Sequence, residues 1–359
     1  SLHSKGREAS AALGDARARI AKLLGAKESE IYFTASGSEA DNWAVKGAAY
    51  ANRDRGRHIV STKIEHHAVL NSLKSLEREG FEVTLVDVDQ GGRVSPEAVA
   101  NAVREDTVLV SVMTANNEVG TIEPIAEISA AVKQKNRKTL IFTDAVQAAG
   151  TLRLDVRELG VDMLSLSGHK LHAPKGVGAL YIRNGIRVSN LIDGGGQERS
   201  RRGGTENLPY IIGLAKALED AVAGIDENER VSAMRDRLID GILDKIPYTR
   251  LNGAREQRLP GNVNISFDYI EGESLLLWLD MNGICASTGS ACSSASLEAS
   301  HVLLALGVPV ESAHGSLRLS LGRDNTDDDV DYILRVLPGI VERLRAMSPL
   351  YEKVNGSKI

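Results

Sequence analysis

Cysteine is scarce in this chain, positive charge is not in excess, and long apolar runs are missing. Two cysteines in 359 residues build no disulfide framework and point to a reducing compartment. A net charge of −5 removes the electrostatic case for general nucleic-acid or anionic-membrane binding. No apolar stretch approaches the roughly 20 residues that span a bilayer. No signal peptide is visible, so a cytoplasmic enzyme is expected. The chain opens "SLHSKGREAS" without a methionine, which leaves targeting by earlier residues open. Internal repeats and low-complexity linkers are missing too. So is a strand–GxGxxG–helix fingerprint: "GVGAL" and "DGGGQER" carry glycines outside that context. No GK[ST] P-loop occurs, and Cys285 and Cys292 have neither zinc-like spacing nor a histidine cluster, so no metal site is expected.

What the chain does have is length and alternation. With 42% hydrophobic residues it can bury a substantial core, enough for two domains. Up to about residue 225, helical and strand patterns alternate. "SGSEADNWAVKGAAY" carries Ala40, Trp43, Ala44, Gly47 and Ala48 at helical spacing, and "HIVST" (58–62) reads as a strand. "EHHAVLNSLKSLEREG" is a helix stopped by Gly80, "EVTLVDV" a strand, and "SPEAVANAVR" a helix capped by Ser95 with Pro96 in its first turn. "TVLVSVM" (107–113) is apolar throughout, as in strands buried on both faces. "PIAEISAAVKQKN" is helical, and 139–144, 161–167 and 177–182 read as further strands. This is an α/β pattern, a mainly parallel sheet with helices on both faces. From residue 226 to 359 a smaller α+β unit is expected, with helices at "NERVSAMRDRLIDGILDKI", "GESLLLWLDMNG", "SLEASHVLLALG" and "TDDDVDYILRVLPGIVERLRAM". Strands there are expected at "GNVNISF" and "GSLRLSLG". The large domain is accordingly placed at 1–225 and the small one at 226–359.

Ligands of open parallel sheets bind beyond the carboxyl ends of the strands, so residues just after each strand carry the information. "TLIFT" ends in Asp144, with Gln147 close behind. "VDMLSLS" runs into Ser167, Gly168, His169 and Lys170, and "TVLVSVM" into "TANNEVG". An aspartate after a strand often caps a helix, and a lone lysine is usually a solvated charge. Lys170, however, follows a buried strand directly, where a desolvated amine favours its neutral, nucleophilic form. A lysine for a Schiff base, a carboxylate for a pyridine nitrogen and a phosphate cradle are what pyridoxal phosphate requires. "TASGSEAD" (34–41) offers the cradle: Gly37 and Ser38 open a helix whose free N–H groups attract a dianion. Simple serine capping is the alternative there.

"IEHHAVL", "NNEVG", "TDAVQAAG", "SLSGHK…PKGVGALYI", "RGGTEN", "STGSACSSASLEASHVL" and "SLRLSLGR" together resemble the cysteine desulfurases. These are class V enzymes of the pyridoxal-phosphate transferase fold type I, and the likeness runs from residue 1 to about 350. The cysteine segment is similar to the long version of the group I enzymes. The resemblance implies that Lys170 is the Schiff-base lysine, that Asp144 holds the pyridinium proton, and that Gln147 bonds the phenolic oxygen. It gives Gly37, Ser38, Ser167 and His169 to the phosphate, and Thr205 to the phosphate of a neighbouring subunit, hence a homodimer. His66 would stack on the ring and move protons, a surface histidine at a helix start being the alternative, while Asn117 and Arg318 would grip the substrate carboxylate. The substrate implied is L-cysteine, and the partner a small iron–sulfur scaffold protein, docking near "SPLYEK".

The resemblance also accounts for an oddly placed thiol. Cys292 sits among small residues, with no bulky apolar neighbour closer than Leu297, although free cysteines are usually buried. As a thiolate it would take sulfur from bound cysteine, leaving alanine and a persulfide. A mobile segment of small residues at about 285–297 would let it attack and then deliver. Cys285, after Ile284 and ending an expected strand, reads as core. The basic group Arg199, Arg201 and Arg202 reads as a solvated loop or, alternatively, a docking patch. Other readings on the same residues are a small-substrate aminotransferase, a selenocysteine lyase or a catalytically silent scaffold. A dinucleotide oxidoreductase lacks its fingerprint.

Overall fold

The computed structural model describes residues 2–289 and 298–355. Cys292 lies outside them, as does the expected cysteine segment from residue 290 to 297. By its internal contacts the chain divides into two units. The first comprises residues 1–87, 94–115 and 123–225, and the second 88–93, 116–122 and 226–359. A single cut at 225/226 leaves segments 88–93 and 116–122 on the other side.

The first unit begins with α1 (Ser4–Leu23), β1 (Ile31–Thr34), α2 (Gly37–Asn52), β2 (His58–Thr62), α3 (His67–Arg78) and β3 (Glu82–Val86). It continues with α4 (Pro96–Ala102), β4 (Thr107–Ser111), α5 (Ile125–Lys135), β5 (Leu140–Asp144), α6 (Val156–Leu159) and β6 (Met163–Ser167). It closes with β7 (Gly178–Ile182), the single turn α7 (Gln197–Ser200) and α8 (Leu208–Ala223). Seven strands form one sheet in the order β1-β7-β6-β5-β4-β2-β3. From β3 to β6 they run parallel, and strands consecutive in the chain are joined through a helix, as parallel pairing demands. β7 runs antiparallel to both β6 and β1. Only residues 168–177 join it to β6, too few for a crossover helix. Strands β4 to β7 are buried along their whole length, so both faces of the sheet are covered. On one face α2 and α3 bring Trp43, Ala44, Ala48, Leu73 and Leu76 against Leu109, Phe142, Met163 and Leu180.

The second unit holds α9 (Asn228–Lys245), β8 (Thr249–Leu251), β9 (Asn262–Phe267), α10 (Gly272–Met281), α11 (His301–Ala305), α12 (Val310–His314), β10 (Ser316–Ser320), α13 (Asp327–Ala346) and α14 (Pro349–Asn355). Its antiparallel sheet, in the order β10-β9-β8, packs Val263, Ile265, Phe267 and Leu317 against Leu238, Ile242, Leu275, Leu337 and Val341 of α9, α10 and α13. The helix expected across "SLEASHVLLALG" is shorter: Ser300 accepts the N–H of Leu303 as an N-cap, so α11 starts only at His301. Cys285 is a second correction. It is exposed and belongs to no strand, because Ile284 takes the inward position (8% exposed) and strand-like pairing resumes only at Ser287. Among the described residues no helix is long and apolar enough to cross a membrane.

Candidate active site

The carboxyl ends of β5 and β6 carry the densest chemistry of the first unit. Asp144 closes β5 almost fully buried, and its Oδ1 accepts the N–H of Val146 at 2.9 Å. Directly opposite in the β5–β6 register stands Ser165, whose hydroxyl donates at 2.6 Å to Asp41 on α2. A third acid, Glu65, is wholly buried and accepts from Thr62 Oγ1 at 2.6 Å and from the Met113 N–H at 3.1 Å. Burial is the first cause that raises all three carboxyls. Glu65 is pushed up to about 8. Asp41 is raised well above the carboxylate range, with the charge of Asp144 adding to burial. Asp144 is raised as well, held back by the Val146 N–H and then by the positive charge of Lys170. Lys170 is therefore the cation that Asp144 feels.

Lys170 stands in the 3₁₀ turn Gly168–Leu171 and is exposed. The burial expected for it is not found: the turn lifts the residue off the sheet end just where the strand stops. Ser167 Oγ and His169 Nδ1 lie 2.9 Å apart. The imidazole of His169 is pulled below its ordinary range by partial desolvation first, and then by Lys170 and Lys175. Gly37 starts α2 against this same corner. A Cβ there would stand 2.9 Å from Val146 Cγ2 and 3.0 Å from Ser167 Cβ, closer than packed atoms tolerate. Ser36 caps the helix by accepting the N–H of Glu39, which leaves the first amides of α2, at Gly37 and exposed Ser38, at its open end. Thus α2's opening, Ser167 and the turn after Asp144 converge, with Gln147 half-buried in that turn. His66 follows β2 and caps α3, its Nδ1 accepting the Ala68 N–H at 3.1 Å, so the helix-start alternative describes its local bond. Thr205 is exposed in the loop before α8.

The basic group at 199–202 is tied to the protein's own groups, with Arg199 exposed and Arg201 and Arg202 half-buried. Arg202 forks onto Glu39, with Nε 2.8 Å and Nη2 3.1 Å from the two carboxylate oxygens. Arg199 lies over the Tyr32 ring at 4.2 Å and donates to Ile31 O, while Arg201 donates to Val188 O. Glu39, Asp41 and Glu65 escaped sequence reasoning. For Glu39 a signal existed, since "SGSE" has the S-x-x-E spacing of a capping box. An acid inside a helical pattern, such as Asp41, gives none.

Within the second unit, the "NNEVG" turn presents Asn117. Buried Asn116 accepts the N–H groups of Glu118 and Val119 at 2.8 and 3.0 Å. Gly120 (φ +75°) completes the turn where a Cβ would strike Asn262 at 2.6 Å. Arg318 on β10 donates from Nη1 to Asn117 O at 2.7 Å, so the expected substrate-carboxylate pair is brought together. The backbone of Arg318 also pairs with Ser287, and Ser300 donates to the buried Glu118. Both described stems of the cysteine segment are anchored in this way. Among the described residues no group of His, Cys, Asp and Glu is arranged to hold a metal.

The donor set fits pyridoxal phosphate. A buried carboxylate stands one strand away from the turn that carries an exposed amine, beside a helix start where a glycine leaves room that a Cβ would crowd. Residues 1–333 match the model of the aminotransferase class-V family. The chain is 57% identical over 355 residues to a cysteine desulfurase IscS of Clostridium botulinum, covering 98% of this chain and 89% of the relative. It is also 57% identical to the cysteine desulfurase IscS of Methanosarcina thermophila, over 98% of this chain and 87% of that one. A solved NifS-like protein superposes with a TM-score of 0.90 at 41% identity, covering 96% of this chain and 91% of the other. Likeness of that identity and coverage, on a site that fits the cofactor, places the chain in the class-V aminotransferase family and, within it, among the cysteine desulfurases, enzymes dependent on pyridoxal 5'-phosphate.

Proposed function

We propose that this chain takes the sulfur of L-cysteine onto Cys292, releasing L-alanine, and passes it on for iron–sulfur cluster assembly. The observation that carries the reading is the corner where buried Asp144, which feels the charge of Lys170, meets the open start of α2 at Gly37 and Ser167. When bound, pyridoxal phosphate supplies a carbonyl for amines and a ring that draws electrons from the Cα–H and Cβ–S bonds of the substrate. Lys170 Nζ would hold the aldehyde carbon and, once freed, would take the Cα proton of the substrate. Asp144 would accept the pyridine N–H and so keep the ring electron-poor. Ser167, His169 and the N–H groups of Gly37 and Ser38 would hold the phosphate, Gln147 would bond the phenolic oxygen, and His66 would lie against the ring and return a proton. Arg318 and Asn117 orient the carboxylate of the substrate. The Cys292 thiolate then attacks the substrate sulfur: an S–S bond forms and the Cβ–S bond breaks. The released electron pair stays on the carbon skeleton and with a proton becomes the methyl group of alanine, so no outside reductant is consumed.

The working form in this reading is a homodimer, in which Thr205 reaches the phosphate held by the partner copy. A cofactor domain of residues 1–225 is joined to a small domain, 226–359, that carries the cysteine segment. A small iron–sulfur scaffold protein in the cytoplasm receives the persulfide sulfur. Purified holoenzyme with L-cysteine and a reductant should give alanine and sulfide in equal amounts. Cys292→Ala should keep the yellow absorption and lose both products. A keto acid that forms only when an amino acceptor is added would overturn the reading in favour of transamination.

A further inference from the structure

Glu39 is awkwardly placed for a phosphate site. It lies in the first turn of α2, where a carboxylate favours the helix but opposes a dianion drawn to the same amides. Its Oε2 also accepts the Ala35 N–H at 2.9 Å, which ties it to the turn that opens the cradle. The carboxylate is matched by Arg202, at 2.8 Å and with only 18% and 13% of the two side chains exposed.

Arg202 is delivered there by a strained and strongly anchored segment. Glu198, Arg199 and Ser200 hold left-handed φ angles of +44°, +57° and +61°, a run of non-glycine residues that persists only where the surroundings impose it. They are imposed by the fork of Glu198 onto Arg17 at 2.8 and 2.7 Å, by the Phe33 N–H on Glu198 at 2.9 Å, and by Arg199 stacked on Tyr32. The Arg202–Glu39 contact is thus built in from a position 163 residues away.

We infer that Arg202 is a positioning residue for the phosphate end of the cofactor site: it neutralises and orients Glu39, so that the amides at Gly37 and Ser38 present an uncontested positive end. The inference rests on the cofactor reading of Gly37 and Ser38. The test compares two probes on the apo protein, pyridoxal phosphate and pyridoxal, which lacks the phosphate, with dissociation constants read from the visible absorption. Arg202→Met should weaken pyridoxal phosphate on the order of tenfold or more and leave pyridoxal within about twofold. Adding Glu39→Gln, which keeps an acceptor for the Ala35 N–H but removes the charge, should restore most of the loss. Should Arg202→Met fail to fold, Glu39→Gln alone carries the test and should raise the preference for the phosphorylated probe. Equal weakening of both probes, no recovery in the double variant, or a lowered preference in Glu39→Gln alone overturns the role of Arg202. Wild-type protein with no preference for the phosphorylated probe overturns the cofactor-site reading beneath it.

Discussion

The two edges of the central sheet treat buried carboxylates in opposite ways. At the edge where the parallel strands begin, Asp162 precedes β6 and is 1% exposed. It is met by Lys133 at 2.7 Å, by Arg183 at 2.5 Å and by the Ile141 N–H at 2.9 Å. Two cations and an amide hold a single carboxylate. Where the same strands end, Asp144, Asp41 and Glu65 share the interior, each raised by burial. Lys170 is the cation that Asp144 feels there. One edge meets its carboxylate with cations, and the other holds three carboxyls that burial pushes toward the neutral form. Perturbed groups of the second kind gather where a ligand is to complete the charge balance, and this is the edge to which the proposed function assigns the cofactor.

The largest effect that separates the edges is expected from Lys170→Ala. Removal of a nucleophilic amine costs turnover by roughly a thousandfold or more, and the visible band of the bound cofactor should vanish. The apo protein should melt within about 2 °C of wild type, because an exposed side chain buries little when the chain folds. Spectra and calorimetry on one preparation check both. Asp162→Asn should do the reverse. It leaves two partly exposed cations facing an uncharged amide, a loss of about 1–3 kcal/mol in denaturant titration, with turnover per folded molecule retained. If Asp162→Asn also abolished turnover, the contrast between the edges would fail.

Asp144→Asn comes next in size. Without a carboxylate for its nitrogen the ring is a poorer electron sink, and turnover should fall on the order of a hundredfold or more. Above neutral pH the apo variant should be more stable than wild type, since a buried acid that resists ionisation has been replaced by an amide of the same shape. Chemical denaturation at pH 6 and pH 8 tests this, and a variant less stable than wild type at pH 8 would contradict it.

These contrasts also mark what was legible in the chain. Strands β4 to β6 announce themselves as short apolar runs, so the residues at or just beyond their ends, Asp144, Ser167, His169 and Lys170, could be named in advance. α1 could not: only Ala16, Arg17, Ile20 and Ala21 are buried along its 20 residues, too narrow a stripe among charges. β1, with four residues, is too short to show a period. The reversal of β7 follows from a connection length that acquires meaning only once both strands are known. Asp41 and Glu65 look like surface acids until the sheet closes over them, and Arg201 and Arg202 look solvated until Tyr32 and Glu39 are beside them. Residues that act from a strand end are visible in one dimension, whereas those that tune them from a helix face are not.

A subtler difference between the edges lies in the pH dependence of apo stability. Glu65 is raised from its ordinary value near 4.5 to about 8 in the folded protein. The folded state therefore holds its proton more tightly than the unfolded chain. The stability linked to Glu65 is complete below about pH 4.5 and is lost as pH rises toward 8, with a limiting slope of roughly 1.4 kcal/mol per unit. Glu65→Gln should remove that alkaline-side slope and leave the acid side unchanged.

The smallest effect belongs to His58, at the opposite edge. It is wholly buried, with Nδ1 2.7 Å from Thr107 Oγ1 and Nε2 2.8 Å from Thr84 Oγ1. A neutral imidazole satisfies both hydroxyls, one by donating and one by accepting. Burial lowers its pKa first and the charge of Arg104 next, while Asp106 and Glu82 pull the other way. The unfolded chain therefore takes the proton more readily. The stability linked to His58 is complete above its ordinary value near 6.5 and is lost as pH falls below it. Arg104 is itself forked onto Glu82 and paired with Asp106, so its push is screened and the slope should be shallower than that of Glu65. His58→Gln should flatten the acid limb alone, in denaturant titrations between pH 5 and pH 7 of apo protein. A steeper acid limb in that variant would mean that His58 is charged in the folded protein, and that the edge where cations meet the carboxylate holds an unbalanced charge of its own.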